Sequence, residues 1–196
     1  MKNLITGCIY LLMAAIFLAV IPTEAESAVY DDTIRLHILA NSDSKEDQEL
    51  KLKVRDAVLR EFSDELNTQE SKKMAEDKIL FLLKDIEAFS ENIIASEGYS
   101  YPVRASLGDE WYDTREYDGF TLPSGIYTSL RIVIGEGEGK NWWCVMFPPL
   151  CLDMATDQAE KDEKIKKYSD EEISLISGKG YRIKFKLLEM FSEAFS

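Results

Sequence analysis

The strongest constraint on the fold is a pair of adjacent segments whose apolar residues repeat with the period of an α-helix. In the first segment, residues 45–66, the apolar positions are Leu50, Val54, Ala57, Val58, Phe62 and Leu66. The second segment begins near Thr68 and ends at Gly98, and its apolar positions are Met74, Ile79, Leu82, Leu83, Ile86, Phe89 and Ile93. The connection between them, Asn67-Thr68, is so short that we expect an antiparallel helical hairpin. The apolar faces of such a hairpin must be buried against a second layer.

The segment before the hairpin predicts a strand and a helix start. In residues 33–39, apolar side chains at the even positions alternate with Arg35 and His37, which is the period of a half-buried strand. We therefore expect His37 to be a partly exposed structural residue. The polar run 41–44 ends the strand and supplies several candidate caps for the first helix.

The remainder of the chain predicts the other strands. Residues 99–107 and 126–134 have strand patterns, and residues 142–147 form a third, joined to the second by a glycine turn at 135–140 as a hairpin. Residues 108–123 are polar and aromatic, which indicates a long loop, whereas residues 169–176 predict a short helix and 181–186 a last strand. The pattern predicts an α+β fold with one mixed, mainly antiparallel sheet packed by the helical hairpin.

The N-terminus predicts export. No charged residue occurs between Asn3 and Thr23, and small residues follow at Ala25 and Ser27, after which cleavage would fit a secretory signal peptide. The same run is long enough to span a bilayer if it is not cleaved. We expect residues 1–27 to be a signal peptide or membrane anchor and residues 28–196 to be a single α+β domain.

Charge and composition exclude several functions. The formal net charge of −13 disfavours binding to nucleic acids or to anionic lipid heads. His37 is the only histidine, so a metal centre built on several imidazoles is excluded, and no serine-hydrolase motif or phosphate-binding loop is present. A pair of Cys144 and His37 is conceivable as a nucleophile and its base, but nothing in the sequence brings them together. We expect no cofactor.

Two cysteines remain after the signal segment. Cys144 and Cys151 enclose a stretch with two prolines that can turn the chain back, and an exported protein meets a non-reducing compartment. A structural disulfide between Cys144 and Cys151 is therefore expected, with two buried thiols as the alternative.

Several segments together resemble a known family. I-R-L-H-I-L-A-N-S-D-S at residues 34–44, Ser124-Gly125-Ile126-Tyr127, and L-R-I-V-I-G-E-G-E-G-K-N-W-W-C-V-M-F-P-P-L-C at residues 130–151 resemble the stage II sporulation protein R family of endospore-forming bacteria. The resemblance covers residues 29–152. The remaining tail is interpreted from periodicity alone.

The resemblance implies a secreted signalling protein and not an enzyme. Members of that family are exported from the forespore into the space between the forespore and mother-cell membranes. There they activate a membrane-embedded aspartic-type protease that processes pro-sigma-E in the mother cell. The alternative from the residues alone is a secreted hydrolase or ligand-binding domain acting at the cell wall, because carboxylates and aromatic residues at 108–123 could line a groove.

The residues expected to contact that protease, or to shape the contact surface, lie in the matched segments. They are His37, Asn41, Ser42, Asp43, Trp142 and Trp143. Asn41, Ser42 and Asp43 have a competing explanation as helix caps, worth about 1 kcal/mol each. Alternation places Trp142 and Trp143 on opposite faces of their strand, one in the core and one on an aromatic surface.

Overall fold

The computed structural model describes residues 5–11, 13–14, 23–68, 70–117, 120–148 and 167–177. The chain divides into two compact units. The described parts of the larger unit lie within residues 30–111 and 126–169, and those of the smaller unit within residues 1–29, 112–125 and 170–196. The predicted last strand at residues 181–186 lies outside the described residues.

The elements confirm an α+β fold with a mixed sheet. In chain order they are α1 (Glu24–Asp32), β1 (Ile34–Leu39), α2 (Lys45–Asn67), α3 (Lys72–Ser96), β2 (Val103–Tyr112), β3 (Arg115–Tyr117), β4 (Phe120–Leu122), β5 (Gly125–Ile134), β6 (Asn141–Phe147) and α4 (Asp170–Ser177). Residues 5–11 are also helical. None of the helices in the described part of the chain is long and apolar enough to cross a membrane.

Helices α2 and α3 form the predicted layer of the larger unit. Ser44 is the N-cap of α2, and its side chain accepts a hydrogen bond from the backbone N–H of Asp47 at 3.1 Å. The second helix begins at Lys72 and not near Thr68, because Ser71 caps it and Thr68 ends α2. Gly98 ends α3 with a φ of 86°, a backbone conformation that residues other than glycine rarely adopt. The sequence predicted this role from the position of Gly98 just after the last helical turn.

The order of the strands differs from the prediction at one point. The sheet has the order β2-β5-β1-β6, in which β1 is parallel to β5 and antiparallel to β6. The predicted β5–β6 hairpin is therefore wrong, since β1 lies between the two strands. Their connection, residues 135–140, instead passes the end of β1, where Gly139 N–H donates to the Ala40 carbonyl at 3.0 Å.

Strand β1 is the centre of the core. Its residues Leu36 and Ile38 join Leu130 and Ile132 of β5 in one apolar cluster with the inner faces of α2 and α3. The opposite sheet face, which we call the far face, carries Arg35 and His37. All six residues of β1 are buried, so the prediction of a half-buried strand is wrong. Both faces of the strand are covered by other parts of the protein. The alternation of apolar and polar residues along β1 does not reveal this.

The predicted loop at residues 108–123 is also wrong. Strand β2 continues to Tyr112, and β3 and β4 form a two-stranded antiparallel sheet within the same segment. In β2 the side chain of Glu110 points to the far face, where it reaches His37, so alternation continues beyond Gly108. Charged and aromatic residues on a strand at the edge of a sheet conceal the pattern of burial.

A capping box stands at the start of helix α1. Thr23 Oγ1 accepts a hydrogen bond from Glu26 N–H at 3.2 Å, and the Glu26 carboxylate accepts one from Thr23 N–H at 2.6 Å. Helix α1 therefore starts at Glu24, and both candidate cleavage positions, Ala25 and Ser27, lie within it. Cleavage of the N-terminal segment stays a prediction. Helix α4 packs against β4 in the smaller unit.

Candidate partner-binding site

Three of the expected site residues, Asn41, Ser42 and Asp43, lie together with Asp47 in a cluster that we call the polar junction. Asn41 Nδ2 and Ser42 Oγ both donate to Asp47 Oδ2, at 2.9 and 2.6 Å. The helix cap itself is Ser44. Asn41 and Ser42 therefore do not cap α2 directly but bind the carboxylate in its first turn.

The polar junction holds the connection between β5 and β6. Asn41 Oδ1 accepts from Glu136 N–H at 3.1 Å, and Asp43 Oδ1 accepts from Lys140 N–H at 2.7 Å. Residues 41 and 43 thus satisfy backbone donors that would otherwise have no protein partner in this turn. The two most distinctive sequence motifs, far apart in the chain, are parts of one structure.

Glycines in residues 135–140 allow this close approach. A Cβ at Gly135 would lie 2.2 Å from Asn41 Oδ1, and one at Gly139 would lie 2.2 Å from the backbone oxygen of Ser42. Gly135 also has a φ of 59°. These glycines form the turn that the sequence predicts, and in addition they leave room for the chain that follows β1.

Asp47 is the electrostatic centre of the junction. Burial would raise the pKa of its carboxyl, but hydrogen bonds from Ser42, Asn41, Tyr101 and Ser44 outweigh burial and hold the pKa below its ordinary value. The folded protein therefore stabilises the ionised form of the Asp47 carboxyl group. Lys51, one turn later, donates to the carbonyl of Lys140 at 2.7 Å, and burial lowers its pKa.

His37 lies in a second polar cluster, on the far face. Its Nδ1 lies 3.1 Å from Glu110 Oε2, and its Nε2 lies 3.0 Å from Asn141 Oδ1. The ring of Trp143 is 5.5 Å from the imidazole ring, tilted by 31°. With a relative exposure of 9%, His37 is buried, so the expectation of partial exposure is wrong.

Glu110 connects His37 to the exposed side of this cluster. Burial would raise the pKa of Glu110, but hydrogen bonds from His37 and Ser129 and the nearby charges of His37 and Arg131 lower it below its usual value. Arg131 Nε lies 3.6 Å from Glu110 Oε1, and 45% of the arginine side chain is exposed. The far face thus presents a cation and an aromatic ring above a buried histidine.

This arrangement gives no support to a catalytic dyad. Both nitrogens of His37 have partners, so neither ring nitrogen is available as a base without rearrangement. Cys144 pairs with Leu36, whose side chain belongs to the core beside the helices, whereas His37 is on the far face. The hypothesis that Cys144 and His37 act together is wrong. Among the described residues, no group of three potential ligands could hold a metal ion.

The two tryptophans lie on opposite faces of β6, as predicted. Trp142 packs against the core, and the Arg55 guanidinium lies 4.8 Å from its ring centroid. Trp143 lies on the far face beside His37. Cys144, the next residue, is buried. Cys151 lies outside the described residues, so the disulfide stays a prediction.

Sequence reasoning missed Glu110, Arg131 and Asp47 as members of these clusters. Glu110 was hidden in the segment interpreted as a loop, and Arg131 follows the ordinary alternation of β5. Asp47 carried one signal, its position three residues after Ser44, but this spacing indicated only a helix cap. Partners that lie on other strands leave no local signature.

Comparison with known proteins gives one family. Residues 30–157 match the family model for stage II sporulation protein R. The chain is 33% identical, over an alignment of 224 residues that covers all of both chains, to stage II sporulation protein R of Bacillus subtilis (strain 168). No solved structure matches it. The matched region contains the polar junction and the His37 cluster.

Proposed function

Because this chain belongs to the stage II sporulation protein R family and so has a role in sporulation, we propose that it is an exported signalling protein that activates a protease. The protease is an aspartic-type enzyme embedded in the mother-cell membrane, which then processes pro-sigma-E. The signalling protein acts in the space between forespore and mother-cell membranes, either released or tethered by residues 1–27. It has no catalytic role of its own.

The observation that carries this proposal is the full-length match together with the position of the matched motifs. Both distinctive motifs meet at one end of the sheet, where the polar junction fixes their backbones. Such bonding preorganises a surface, and a rigid surface loses less entropy on binding than a flexible one. A partner that activates a protease must bind the active state of the protease more tightly than the inactive state.

The six proposed interface residues divide into two roles. Trp143 contributes to the contact surface on the far face, where its ring lies beside that of His37. Arg131 lies beside the Glu110 carboxylate that His37 also contacts. Aromatic and arginine side chains are the residues that most often dominate binding energy in interfaces. Asn41 and Asp43 shape the surface by holding residues 135–140, and Ser42 binds the Asp47 carboxylate of the same junction. Trp142 supports the surface from the core side.

The experiment is co-expression of the exported domain with the protease and its pro-factor, with cleavage of the pro-factor as the measurement. Cleavage that depends on the wild-type domain supports the proposal. Trp143→Ala should reduce cleavage while the protein remains folded and secreted. The matched control is Glu49→Gln, an exposed substitution on α2, which should behave as wild type.

Two results would count against the proposal. Processing of the pro-factor at the same rate without the domain would remove the signalling role. Turnover of a wall polymer by the purified domain alone would favour the alternative hydrolase.

A further inference from the structure

A groove on the far face of the sheet extends to the outer edge of β2. Its volume is about 550 Å³, which is comparable to that of pockets that bind small ligands. The groove lies within the larger unit. Its sides are formed by three pairs of residues: Lys84 and Glu87 of α3, Arg104 and Ser106 of β2, and Arg131 and Val133 of β5.

Strand alternation places the two arginines of this groove on the same face of the sheet. In β2, Arg104 lies between Val103 and Ala105, which pack with the core, so its side chain points to the far face. In β5, Arg131 points the same way, since it contacts Glu110 there. Because β2 and β5 are neighbours in the sheet, the two guanidinium groups border one groove.

The sheet side and one end of the groove are fixed by packing. Val133 is half-buried, and a Cβ at Gly137 would lie 2.5 Å from its Cγ1, so the turn after β5 packs directly onto it. In the same turn Glu136 N–H donates to Asn41 Oδ1 at 3.1 Å. The polar junction therefore also holds one wall of the groove, and a wall that is ordered in advance lowers the entropic cost of binding.

The carboxylate of Glu87 is already bound on the α3 side of the groove. Lys84 Nζ donates to Glu87 Oε2 at 2.6 Å, and Ala105 N–H donates to Glu87 Oε1 at 2.9 Å. The hydrogen bonds from Lys84 and Ala105 outweigh burial and hold the pKa of Glu87 below its usual value. Both oxygens of this carboxylate thus have partners that are not arginines.

Arg104, in contrast, has more donors than partners. Its side chain is exposed, and its Nη2 lies 3.5 Å from the carbonyl oxygen of Gly135, at the upper limit of a hydrogen bond. No ion pair in the described part of the chain includes Arg104. A guanidinium group has more N–H donors than one carbonyl oxygen can accept. Arg131 Nε lies 3.6 Å from Glu110 Oε1, and the same carboxylate also contacts His37.

The charge of the groove lining is opposite in sign to that of the whole chain. Three cations, Lys84, Arg104 and Arg131, line the groove with two carboxylates, Glu87 and Glu136. The chain as a whole has a formal net charge of −13. An anionic group is therefore attracted to this groove on a protein that otherwise repels it.

We propose that this groove binds a carboxylate side chain of the partner, held by Arg104 with Arg131 beside it. This inference rests on the proposed function, since the partner is the protease whose activation is measured. The planar fork of a guanidinium group matches the two oxygens of a carboxylate, and carboxylates are the anionic side chains of an unmodified protein. The hydroxyl of Ser106 donates a further hydrogen bond, and Val133 packs against the apolar part of the same side chain.

The test is the substitution Arg104→Glu in the co-expression assay. It places a negative charge opposite the carboxylate and should lower the rate of pro-factor cleavage at least about tenfold. Arg104→Lys keeps the charge but loses the planar fork, so its rate should lie between those of Arg104→Glu and wild type. The matched control is Arg60→Glu, the same change of net charge at an exposed position of α2, which should stay within about twofold of wild type.

Circular dichroism and thermal unfolding of the purified domains establish that the variants fold. The exposed position and single long hydrogen bond of Arg104 predict that Arg104→Glu unfolds at the same temperature as wild type. If Arg104→Glu does not fold, Arg104→Gln, which removes only the charge, decides by the same cleavage measurement and should also lower the rate.

A double-mutant cycle tests the chemistry of the occupant. Each Asp or Glu of the protease that faces the space between the membranes is changed to Asn or Gln and combined with Arg104→Gln. One such change should lower cleavage with the wild-type domain but have less than about a twofold effect with Arg104→Gln, because the interaction is already lost. If no acidic residue of the protease behaves in this way, the occupant is not a carboxylate of the partner and the proposal is overturned.

The outcomes separate the groove from the proposed function. If the wild-type domain fails to provoke cleavage, the proposed function fails and the carboxylate site falls with it. If wild type is active and folded Arg104→Glu is equally active, only the carboxylate site is overturned. An equal loss in Arg60→Glu and Arg104→Glu would also overturn it, because the effect would then come from net charge alone.

Discussion

Replacement of Asp47 by asparagine tests the central claim about the polar junction. The Asp47 carboxylate accepts hydrogen bonds from Ser42 and Asn41 at 2.6 and 2.9 Å and a further bond from Tyr101. Asparagine has nearly the same shape as aspartate. Its NH₂ group, however, cannot accept the hydrogen bonds that Asn41 and Ser42 donate, and its oxygen carries no charge. A hydrogen bond to a charged group contributes about 1.5–3 kcal/mol. Asparagine can keep some of these bonds in weakened form, so we expect Asp47→Asn to lower the free energy of unfolding by about 2–3 kcal/mol.

The pH dependence gives the same prediction a second test. The folded-state pKa of Asp47 is lower than its unfolded value, so the ionised carboxylate stabilises the fold. This contribution is fully present above the unfolded pKa, about 3.9, and is lost as pH falls through the folded pKa. The difference between wild type and Asp47→Asn should therefore be constant from about pH 5 to 8 and shrink below about pH 4.

Urea unfolding of both purified domains across this pH range measures the effect. The control is Glu49→Gln on the same helix, where the carboxylate is exposed and lies 3.6 Å from Lys45. Surface ion pairs of this kind contribute at most about 0.5 kcal/mol, so the control should match wild type. An Asp47→Asn protein as stable as the control at pH 7 would refute the claim that the junction is held by this carboxylate.

Three further predictions concern other parts of the molecule. Gly139→Ala should destabilise the fold by about 1–3 kcal/mol in urea unfolding, because its Cβ would lie 2.2 Å from the backbone oxygen of Ser42; an unchanged midpoint would show that the loop has room to move. Trp143→Ala should reduce pro-factor cleavage by more than its loss of stability explains, and equal activity at equal protein level would exclude a contact role. Replacing Cys144 and Cys151 together by alanine should lower the free energy of unfolding by about 2–3 kcal/mol if they form the expected short-loop disulfide. If they do not form it, mass spectrometry of the alkylated wild-type protein would detect both cysteines as reactive thiols.

The helical layer could be predicted from the sequence because its signals are local. The apolar period, Ser44 and Gly98 all act within a few residues of the elements that they define, and the structure has α2 and α3 close to the expected bounds. The strands β1, β5 and β6 were recognisable for the same reason. The family resemblance, which depends on motifs in the same segments, was confirmed by the comparisons.

The candidate site could be predicted only in part. His37, Asn41 and Trp143 were chosen because they lie in matched motifs, but their neighbours Glu110, Arg131 and Asp47 were not chosen. A contact between His37 and Glu110 joins residues 73 positions apart in the chain, and nothing in either local sequence reports the other. The division of the chosen residues into a far-face cluster and a junction that holds a loop depends on these distant contacts.

The amino-acid sequence by itself therefore determined the two long helices, the strands β1, β5 and β6, and the family to which the chain belongs. Tertiary structure alone decided that β1 lies between β5 and β6 and that β1 is buried on both faces. The physical reason is that alternation specifies which side chains share a face, whereas the choice of neighbouring strand depends on hydrogen bonds and packing between residues far apart in the chain. Those contacts turn two separate motifs into one rigid surface.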